Sequence, residues 1–198
     1  MDMPGSAIAP LTAGFDEAGR GCLAGPVLAA AVILAPGVSI AGLTDSKKLT
    51  PRQRLSLAEE IRQTAVAWAL GRAEPQEIDA YNILQASLLA MRRAHDALAV
   101  RPEQALIDGS HVPALPCPAR AIVGGDLTEP AISAASILAK VARDREMVIA
   151  DALFPGYGFA IHKGYPTPAH RRALAERGPS PLHRRSFRPV QAALRATS

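Results

Sequence analysis

The order of the apolar segments predicts an α/β protein, with a mixed sheet and helices on its faces. Three strand-like segments come first, at residues 11–16, 27–34 and 66–70. Strand-like and helical segments then alternate up to residue 150. A length of 198 residues is enough for one domain with a sizeable core. We therefore expect residues 1–198 to form a single domain.

Short apolar runs define the expected strands. The first run ends at the acid pair Asp16-Glu17. Residues 27–34 are continuously apolar and partly β-branched, which is typical of a buried strand beside the first. In the third segment, Val66, Trp68 and Leu70 alternate with small residues. Two further strands are expected at residues 105–107 and 119–123.

The clearest helix start is at Thr50. Thr50 is a suitable N-cap, Pro51 suits the first helical position, and Gln53 can close a capping box. We expect the buried side of this helix to carry Leu55, Ala58 and Ile61. Apolar spacing predicts long helices at residues 82–98 and 130–150, and short ones at 169–176 and 190–195.

The charge suits a polyanionic partner. The net charge is +4 and the pI about 9.4. The basic side chains are concentrated near the C-terminus: Arg171, Arg172, Arg177, His183, Arg184, Arg185 and Arg188. They predict a basic, helical substrate-binding part over residues 155–198. An ordinary solvated face is the alternative.

The sequence favours a reducing compartment. Cys22 and Cys117 lie outside any metal-finger spacing. Residues 1–4 lack the charged and apolar regions of a secretory signal. The longest apolar stretch, residues 23–35, is too short to span a bilayer and contains Gly25-Pro26. We expect a cytoplasmic protein that does not bind membranes.

Four acidic residues are candidate catalytic and metal-binding groups. Asp16, Glu17, Asp108 and Asp126 follow or end three strand-like segments, and ligands of open α/β sheets gather at strand ends. Carboxylates sharing one site repel each other unless cations lie between them. Hard cations such as Mg²⁺ take carboxylate and phosphate oxygens as ligands. Each acid could instead be an ordinary turn or cap residue.

Such a set predicts phosphodiester hydrolysis by a two-metal mechanism. Two ions about 4 Å apart activate a water molecule and stabilise the leaving 3′-oxygen. No serine, histidine or cysteine nucleophile is then required.

Three polar segments are candidate substrate contacts. Gly19-Arg20-Gly21 can present backbone N–H groups to a sugar-phosphate, although the same residues suit a tight turn. Ser46 and Lys47 could contact phosphates or simply precede a helix. Tyr165 could recognise a 2′-hydroxyl, which distinguishes RNA from DNA, or could be a half-buried packing residue.

Together these motifs resemble bacterial ribonuclease HII over nearly the whole chain and in the same order. The matching segments are Asp16-Glu-Ala-Gly-Arg-Gly-Cys-Leu-Ala-Gly-Pro26, Asp45-Ser-Lys-Lys-Leu49, Ile107-Asp-Gly109, Gly125-Asp126, Ile132-Ser-Ala-Ala-Ser-Ile-Leu-Ala-Lys-Val141, Tyr157-Gly-Phe159, His162-Lys-Gly-Tyr-Pro-Thr167 and Arg185-Ser-Phe187.

The resemblance implies a ribonuclease H-like fold: a central mixed five-stranded sheet flanked by helices, with a helical C-terminal part. It implies an endonuclease that cuts the RNA strand of RNA–DNA hybrids, and cuts 5′ to a ribonucleotide embedded in duplex DNA. Products would carry 5′-phosphate and 3′-hydroxyl ends. The metal-binding acids would be Asp16, Glu17, Asp108 and Asp126, using Mg²⁺ or Mn²⁺. Gly19, Arg20, Gly21 and Tyr165 would sense the RNA-to-DNA junction.

The chain departs from this family pattern in places. Cys22 stands where proline is common. Gly124 stands where lysine is common, which removes a positive charge beside Asp126, and Leu127 replaces a small polar residue.

Two other functions stay open. One is a non-catalytic nucleic-acid-binding domain, which would not need the acids. The other is a different two-metal nuclease on a related fold, such as a DNA-specific nuclease or resolvase, which would not need a 2′-hydroxyl sensor. The expected partners are RNA–DNA hybrids and ribonucleotide-containing DNA, with no obligate protein partner.

Overall fold

The computed structural model describes residues 10–196, so the N-terminal residues 1–4 considered above lie outside the described part. The strands are β1 Thr12–Ala18, β2 Val27–Ile33, β3 Ala67–Ala73, β4 Gln104–Asp108 and β5 Ala119–Ile122. The helices are α1 Pro51–Thr64, α2 Pro75–Asp96, α3 Gly125–Thr128, α4 Pro130–Leu153, α5 Phe159–His162, α6 Pro168–Arg177 and α7 Arg188–Ala196.

The five strands form one mixed sheet in the order β3-β2-β1-β4-β5. β2 runs antiparallel to both β1 and β3, whereas β4 runs parallel to β1 and β5. Helix α2 packs on one face of the sheet, and α1 and α4 pack on the other. The predicted five-stranded sheet with flanking helices is confirmed, and β1 lies at its centre.

The boundaries near the acids differ from the prediction. β1 does not end at Asp16, because its ladder with β2 continues to the pair of Ala18 with Leu28. Asp108 does end β4. Asp126 does not end a strand, because β5 stops at Ile122 and Asp126 lies in the single helical turn α3.

The capping box at the start of α1 is confirmed, but one buried position is not. The Thr50 hydroxyl accepts the N–H of Gln53, and the Gln53 carboxamide accepts the N–H of Thr50. Ala58 and Ile61 are buried as expected, together with Leu57. Leu55 is 61% exposed, since its side of the helix does not face the sheet.

Helix α2 begins earlier than predicted and is bent at Asn82. Its first segment starts at Pro75, and Asn82 interrupts it with φ 68° and ψ 166°. The Asn82 carboxamide accepts the N–H groups of Leu84 and Gln85, as an N-cap does. Residue 82 is therefore the start of the second segment, and the prediction missed the first.

None of the helices in the described part of the chain combines the length and the apolar character needed to cross a bilayer.

Small residues bring β3 close to α2. Ala67, Ala69 and Ala73 are buried on the helix side of the strand, while Trp68 is 37% exposed on the other side. At Gly71 an added Cβ would lie 2.1 Å from the carbonyl oxygen of Ala90. No side chain fits at this crossing.

Replacing Gly71 by alanine should therefore destabilise the protein. The new methyl group would collide with helix backbone, and overpacking of this kind costs about 1–3 kcal/mol, occasionally more. Urea unfolding would measure the loss. Gly21→Ala is the matched control, because nothing lies within 4 Å of an added Cβ there. Equal stability of the two variants would contradict this account of the β3–α2 packing.

Candidate active site

The acid pair occupies the end of the central strand. Side chains alternate between the two faces of a strand, so Asp16 and Glu17 leave β1 on opposite sides. Ala18, next to Glu17, packs in the α4-side core, which places Asp16 on that same side. Glu17 faces the α2 side and lines a cleft with Asp108. The two carboxylates therefore bracket the end of β1.

Asp16 is the most strongly perturbed of the acids. Its side chain is buried, and one of its oxygens accepts the N–H of Glu17 at 2.7 Å. Burial raises its pKa well above the usual value, and the carboxylates of Glu17, Asp108 and Asp126 raise it further. Desolvation and repulsion from the other acids therefore both make ionisation of Asp16 unfavourable.

Glu17 shares the burial but has a cationic partner. Its carboxylate lies 3.1 Å from the Arg20 guanidinium. Burial raises the pKa of Glu17, while Arg20 partly offsets the rise. Arg20 itself is about half exposed. An arginine of the Gly19-Arg20-Gly21 segment therefore neutralises one acid of the pair directly.

Asp108 and Asp126 meet beside this pair. The N–H of Asp126 lies 3.4 Å from a carboxylate oxygen of Asp108. Burial raises the pKa of Asp126, and the neighbouring Asp108 and Asp45 raise it further. The carboxylate of Asp45 therefore lies near enough to act on Asp126. Sequence analysis considered the segment of Asp45 but missed this contact, because nothing in the sequence pairs residues 45 and 126.

The two candidate substrate residues before α1 differ in position. Lys47 is largely exposed, and its ammonium lies 3.9 Å from Asp45. Burial lowers its pKa, but the charges of Asp45, Asp16 and Asp126 outweigh that and raise it. Ser46 is buried, and its carbonyl accepts a hydrogen bond from Arg54. Lys47 therefore lies close enough to interact electrostatically with the acids. The Ser46 side chain is buried, and its carbonyl is bound by Arg54.

The four acids have the chemistry of a divalent-metal site. Their donors are carboxylate oxygens, and cations between them would relieve the repulsion that acts on Asp16. Across residues 10–196, no three His, Cys, Asp or Glu side chains are already gathered tightly enough to hold an ion. Asp16, Glu17 and Asp108 are each engaged with a local partner. Metal binding would exchange those contacts for metal–oxygen bonds.

Two buried arginines hold the loop that follows the acids. Arg184 donates to the carbonyls of Gly19 at 2.7 Å and Arg20 at 2.8 Å, and also to those of Gly25 and Pro26. Its burial lowers its pKa to about 10. Gly19 has φ +99°, and an added Cβ would lie 1.9 Å from the side chain of Arg143. The glycine is therefore required where the loop crosses this side chain.

Arg143 joins the same loop to the Tyr165 segment. Its guanidinium donates to the carbonyls of Ala24 and Pro26, and to that of Lys163 at 2.8 Å. In the sequence Arg143 is one of many helical cations, and Arg184 is part of a basic run. No local pattern marks either one. The interpretation of His183 and Arg184 as part of a basic surface was wrong, since both are buried.

Tyr165 lies at the edge of the same assembly. It is 39% exposed, and the Lys140 ammonium is 5.6 Å from the centre of its ring. The carbonyl of the preceding Gly164 accepts the N–H of Leu23 at 2.8 Å. This backbone hydrogen bond joins the segment that carries Tyr165 to the loop that contains Gly19-Arg20-Gly21.

Comparison with known proteins decides the family. The profile described as "Ribonuclease HII" matches residues 13–190. This chain belongs to the ribonuclease HII family. A protein named Ribonuclease HII from Nitrosococcus oceani is 60% identical over 191 residues, which cover 96% of this chain and 95% of the relative. Family membership makes the chain a metal-dependent endoribonuclease of the ribonuclease H type.

Solved structures of similar proteins share the fold. The ribonuclease H2 of Pyrococcus horikoshii OT3 superposes with a TM-score of 0.80 at 26% identity, over 93% of this chain and 97% of that one. The ribonuclease HII in a PCNA complex from Archaeoglobus fulgidus gives 0.68 at 30% identity, over 89% of this chain and 95% of that one. The ribonuclease H-like fold expected from the resemblance is confirmed.

Asp16→Asn should stabilise the metal-free protein at neutral pH. The folded-state pKa of Asp16 is raised, so its contribution to stability is complete below the unfolded-state pKa, about 3.9, and is lost as pH rises through the folded-state value. An amide keeps the acceptor for the Glu17 N–H without the charge. Urea unfolding in chelator should show a gain at pH 7 that disappears near pH 4.

The matched control is Asp96→Asn, which changes an exposed carboxylate on α2 and should show no such gain. A loss of stability at pH 7 in Asp16→Asn would contradict the repulsion assigned to the four acids.

Proposed function

We propose that this ribonuclease HII cuts the RNA strand of RNA–DNA hybrids, and cuts 5′ to ribonucleotides embedded in duplex DNA. The products would carry 5′-phosphate and 3′-hydroxyl ends. The observation that carries the proposal is the convergence of Glu17, Asp108 and Asp126 on the buried carboxylate of Asp16, whose pKa is raised first by burial and then by these acids. The site lies beside the glycine loop, Gly19-Arg20-Gly21, which Arg184 holds through its carbonyls. Such a site suits cations and a polyanion together.

The acids Asp16, Glu17, Asp108 and Asp126 would hold two divalent ions, Mg²⁺ or Mn²⁺. Bound there, the ions would activate water and stabilise the leaving 3′-oxygen. The protein itself keeps the acids in place: Asp16 and Glu17 through the β1 ladder, and Asp126 through the N–H contact to Asp108. Lys47 supplies positive charge at the edge of the site for a backbone phosphate.

The glycine loop would bind the sugar-phosphate through its backbone. Arg184 donates hydrogen bonds to the carbonyls of Gly19 and Arg20. In a trans peptide the C=O and N–H groups point in opposite directions. The N–H groups of Arg20 and Gly21 therefore point away from the buried guanidinium. Two such N–H groups suit an anionic oxygen or a ribose hydroxyl.

Tyr165 would complete recognition of the ribonucleotide. Its partly exposed ring can stack on a sugar or base, and its hydroxyl can bond a 2′-hydroxyl. The exposed arginines of the C-terminal part, Arg171, Arg172, Arg177, Arg185 and Arg188, are placed to add sequence-independent contacts to the duplex. Ser46 would act through its backbone position, because its side chain is buried.

We further propose that the chain works as a single catalytic domain in the cytoplasm and needs no protein partner for cutting. The Archaeoglobus fulgidus relative is described in complex with PCNA. For this chain the purified protein alone should suffice. The two alternatives raised by the sequence, a binding domain without catalysis and a DNA-directed nuclease on the same fold, disagree with membership of this family, and each predicts a different outcome below.

The decisive assay uses a labelled DNA duplex with one internal ribonucleotide, beside an all-DNA duplex and a long RNA–DNA hybrid. We expect cutting 5′ to the ribonucleotide with Mg²⁺ or Mn²⁺, none with chelator, and none on DNA. Asp16→Asn should lose about 10²–10³-fold or more, as expected when a main electrostatic group of the transition state is removed. Asp96→Asn should cut normally.

Cutting of the all-DNA duplex would support the alternative nuclease. Binding without cutting, unchanged by Asp16→Asn, would support the non-catalytic domain. Cutting of the long hybrid alone would keep the chemistry and remove the junction-sensing role of Gly19, Arg20, Gly21 and Tyr165.

Two variants separate the contributions of Tyr165. Tyr165→Phe removes only the hydroxyl, and Tyr165→Ala also removes the ring. If stacking dominates, alanine should reduce kcat/KM on the single-ribonucleotide duplex by about 10-fold or more relative to phenylalanine, since base stacking is worth about 1–3 kcal/mol. Equal losses would indicate the hydrogen bond, and wild-type rates in both would exclude Tyr165 from the site.

A further inference from the structure

Three buried histidines lie beneath Tyr165 and have no part in the proposed chemistry. His162, His170 and His183 are 8%, 0% and 1% exposed. The rings of His162 and His170 stack with centroids 4.2 Å apart, and Phe159 packs against all three. Burying three imidazoles in an aromatic cluster is unfavourable unless their nitrogens are hydrogen-bonded.

Two of these histidines form a continuous hydrogen-bonded chain that ends at Tyr165. The backbone N–H of Ser180 points at Nδ1 of His183 at 3.0 Å, and the Ser180 hydroxyl lies 2.8 Å from the same nitrogen. Nε2 of His183 lies 3.1 Å from Nε2 of His170. Nδ1 of His170 lies 2.9 Å from the carbonyl oxygen of Tyr165. The chain therefore runs from a backbone donor to a backbone acceptor through two rings.

The two ends determine where the protons lie. A backbone N–H only donates, so Nδ1 of His183 accepts it, and the Ser180 hydroxyl can donate to the same nitrogen. The ring proton of neutral His183 is then on Nε2. That proton is donated to Nε2 of His170, so the proton of neutral His170 is on Nδ1. A carbonyl oxygen only accepts, so this proton is donated to Tyr165. The donor at one end and the acceptor at the other therefore require the same direction of hydrogen bonding along the chain.

The chain works only with neutral rings. A second proton on His183 would face the Ser180 N–H, and a second proton on His170 would face the donor of His183. Burial is the main reason that the pKa of both rings is lowered, that of His183 to about 4. The charged form of either ring would place two donors against each other.

We propose that His170 and His183 are positioning residues for substrate recognition, holding the backbone of Tyr165 in place; this rests on the proposed role of Tyr165 at the ribonucleotide. The Tyr165 carbonyl also accepts the N–H of Thr167 at 2.8 Å, so both of its acceptor positions are used. His183 in addition forms a β-bridge with Ala24. Through His170, His183 thus links the Tyr165 backbone to Ala24, which follows the glycine loop in the sequence.

The first test is spectroscopic and uses the wild-type protein. Long-range ¹H–¹⁵N correlation at pH 7 reports which ring nitrogen of each histidine carries the proton. We expect the Nδ1–H form for His170 and the Nε2–H form for His183. An Nε2–H form of His170, or a doubly protonated ring at either position, would overturn the proposal.

The second test is a double-mutant cycle on the single-ribonucleotide duplex. His170→Leu should lower kcat/KM about 10-fold in the wild-type background and less than about 2-fold in the Tyr165→Ala background, because the effect acts through Tyr165. His170→Asn places an amide near Nδ1 and should recover part of the loss. His95→Leu, another buried histidine on α2, is the control and should have the same effect in both backgrounds.

The two levels of failure are distinguishable. If the wild-type enzyme cuts neither this substrate nor the long hybrid, the proposed function falls. If it cuts the long hybrid alone, the recognition role of Tyr165 falls, and the positioning role falls with it. If it cuts the single-ribonucleotide duplex, and His170→Leu has equal effects with and without Tyr165, the positioning role falls while the proposed function stands. A similar cycle pattern for His95→Leu would likewise overturn it, since a general loss of stability would then explain the coupling.

Discussion

Two buried guanidinium groups hold the loop that follows β1 in place. Within residues 10–196, Arg143 and Arg184 form no ion pair, and their donors are taken by backbone carbonyls instead. A buried charge is tolerated only when its donors are satisfied. The carbonyls that accept from them must therefore stay in place for the fold to persist: those of Gly19, Arg20, Ala24, Gly25, Pro26 and Lys163. This constraint acts together with the burial of Leu23 and Ala24 to fix the loop, and the N–H groups of Arg20 and Gly21 then have a defined direction.

The acids obey the opposite requirement. Burial raises the pKa of Asp16 and the other three acids raise it further, so the fold holds the four carboxylates together against their repulsion. Asp16 and Glu17 can be held this way because they lie inside a paired central strand rather than in a loop after it. A cation would reverse the balance. One short segment, residues 16–26, carries the first two acids and most of the carbonyls that the two guanidinium groups bind. The proposed metal site and the proposed recognition loop therefore share one stretch of backbone.

Local patterns in the sequence predicted the elements but not their long-range partners. The capping box at Thr50 and the apolar runs of β2 and β4 depend on neighbouring residues, and they were placed correctly. The extension of β1, the exposure of Leu55 and the burial of Arg184 depend on contacts with distant segments. The roles of the site residues stay predictions that the assays above test. Nothing within a few residues of Arg184 distinguishes it from the exposed Arg185.

The Gly124 departure has a local explanation. Gly124 precedes the turn that carries Asp126 and has φ +70°, a conformation in which L-residues other than Asn and Asp are strained. Glycine removes that strain but also the positive charge that lysine would supply. Burial and the neighbouring acids raise the pKa of Asp126, and Lys47 lies close enough to offset part of that rise. Asp45, Asp16 and Asp126 in turn raise the pKa of Lys47. A lysine from a different segment therefore provides part of the charge balance, while glycine makes the Asp126 turn easier to form.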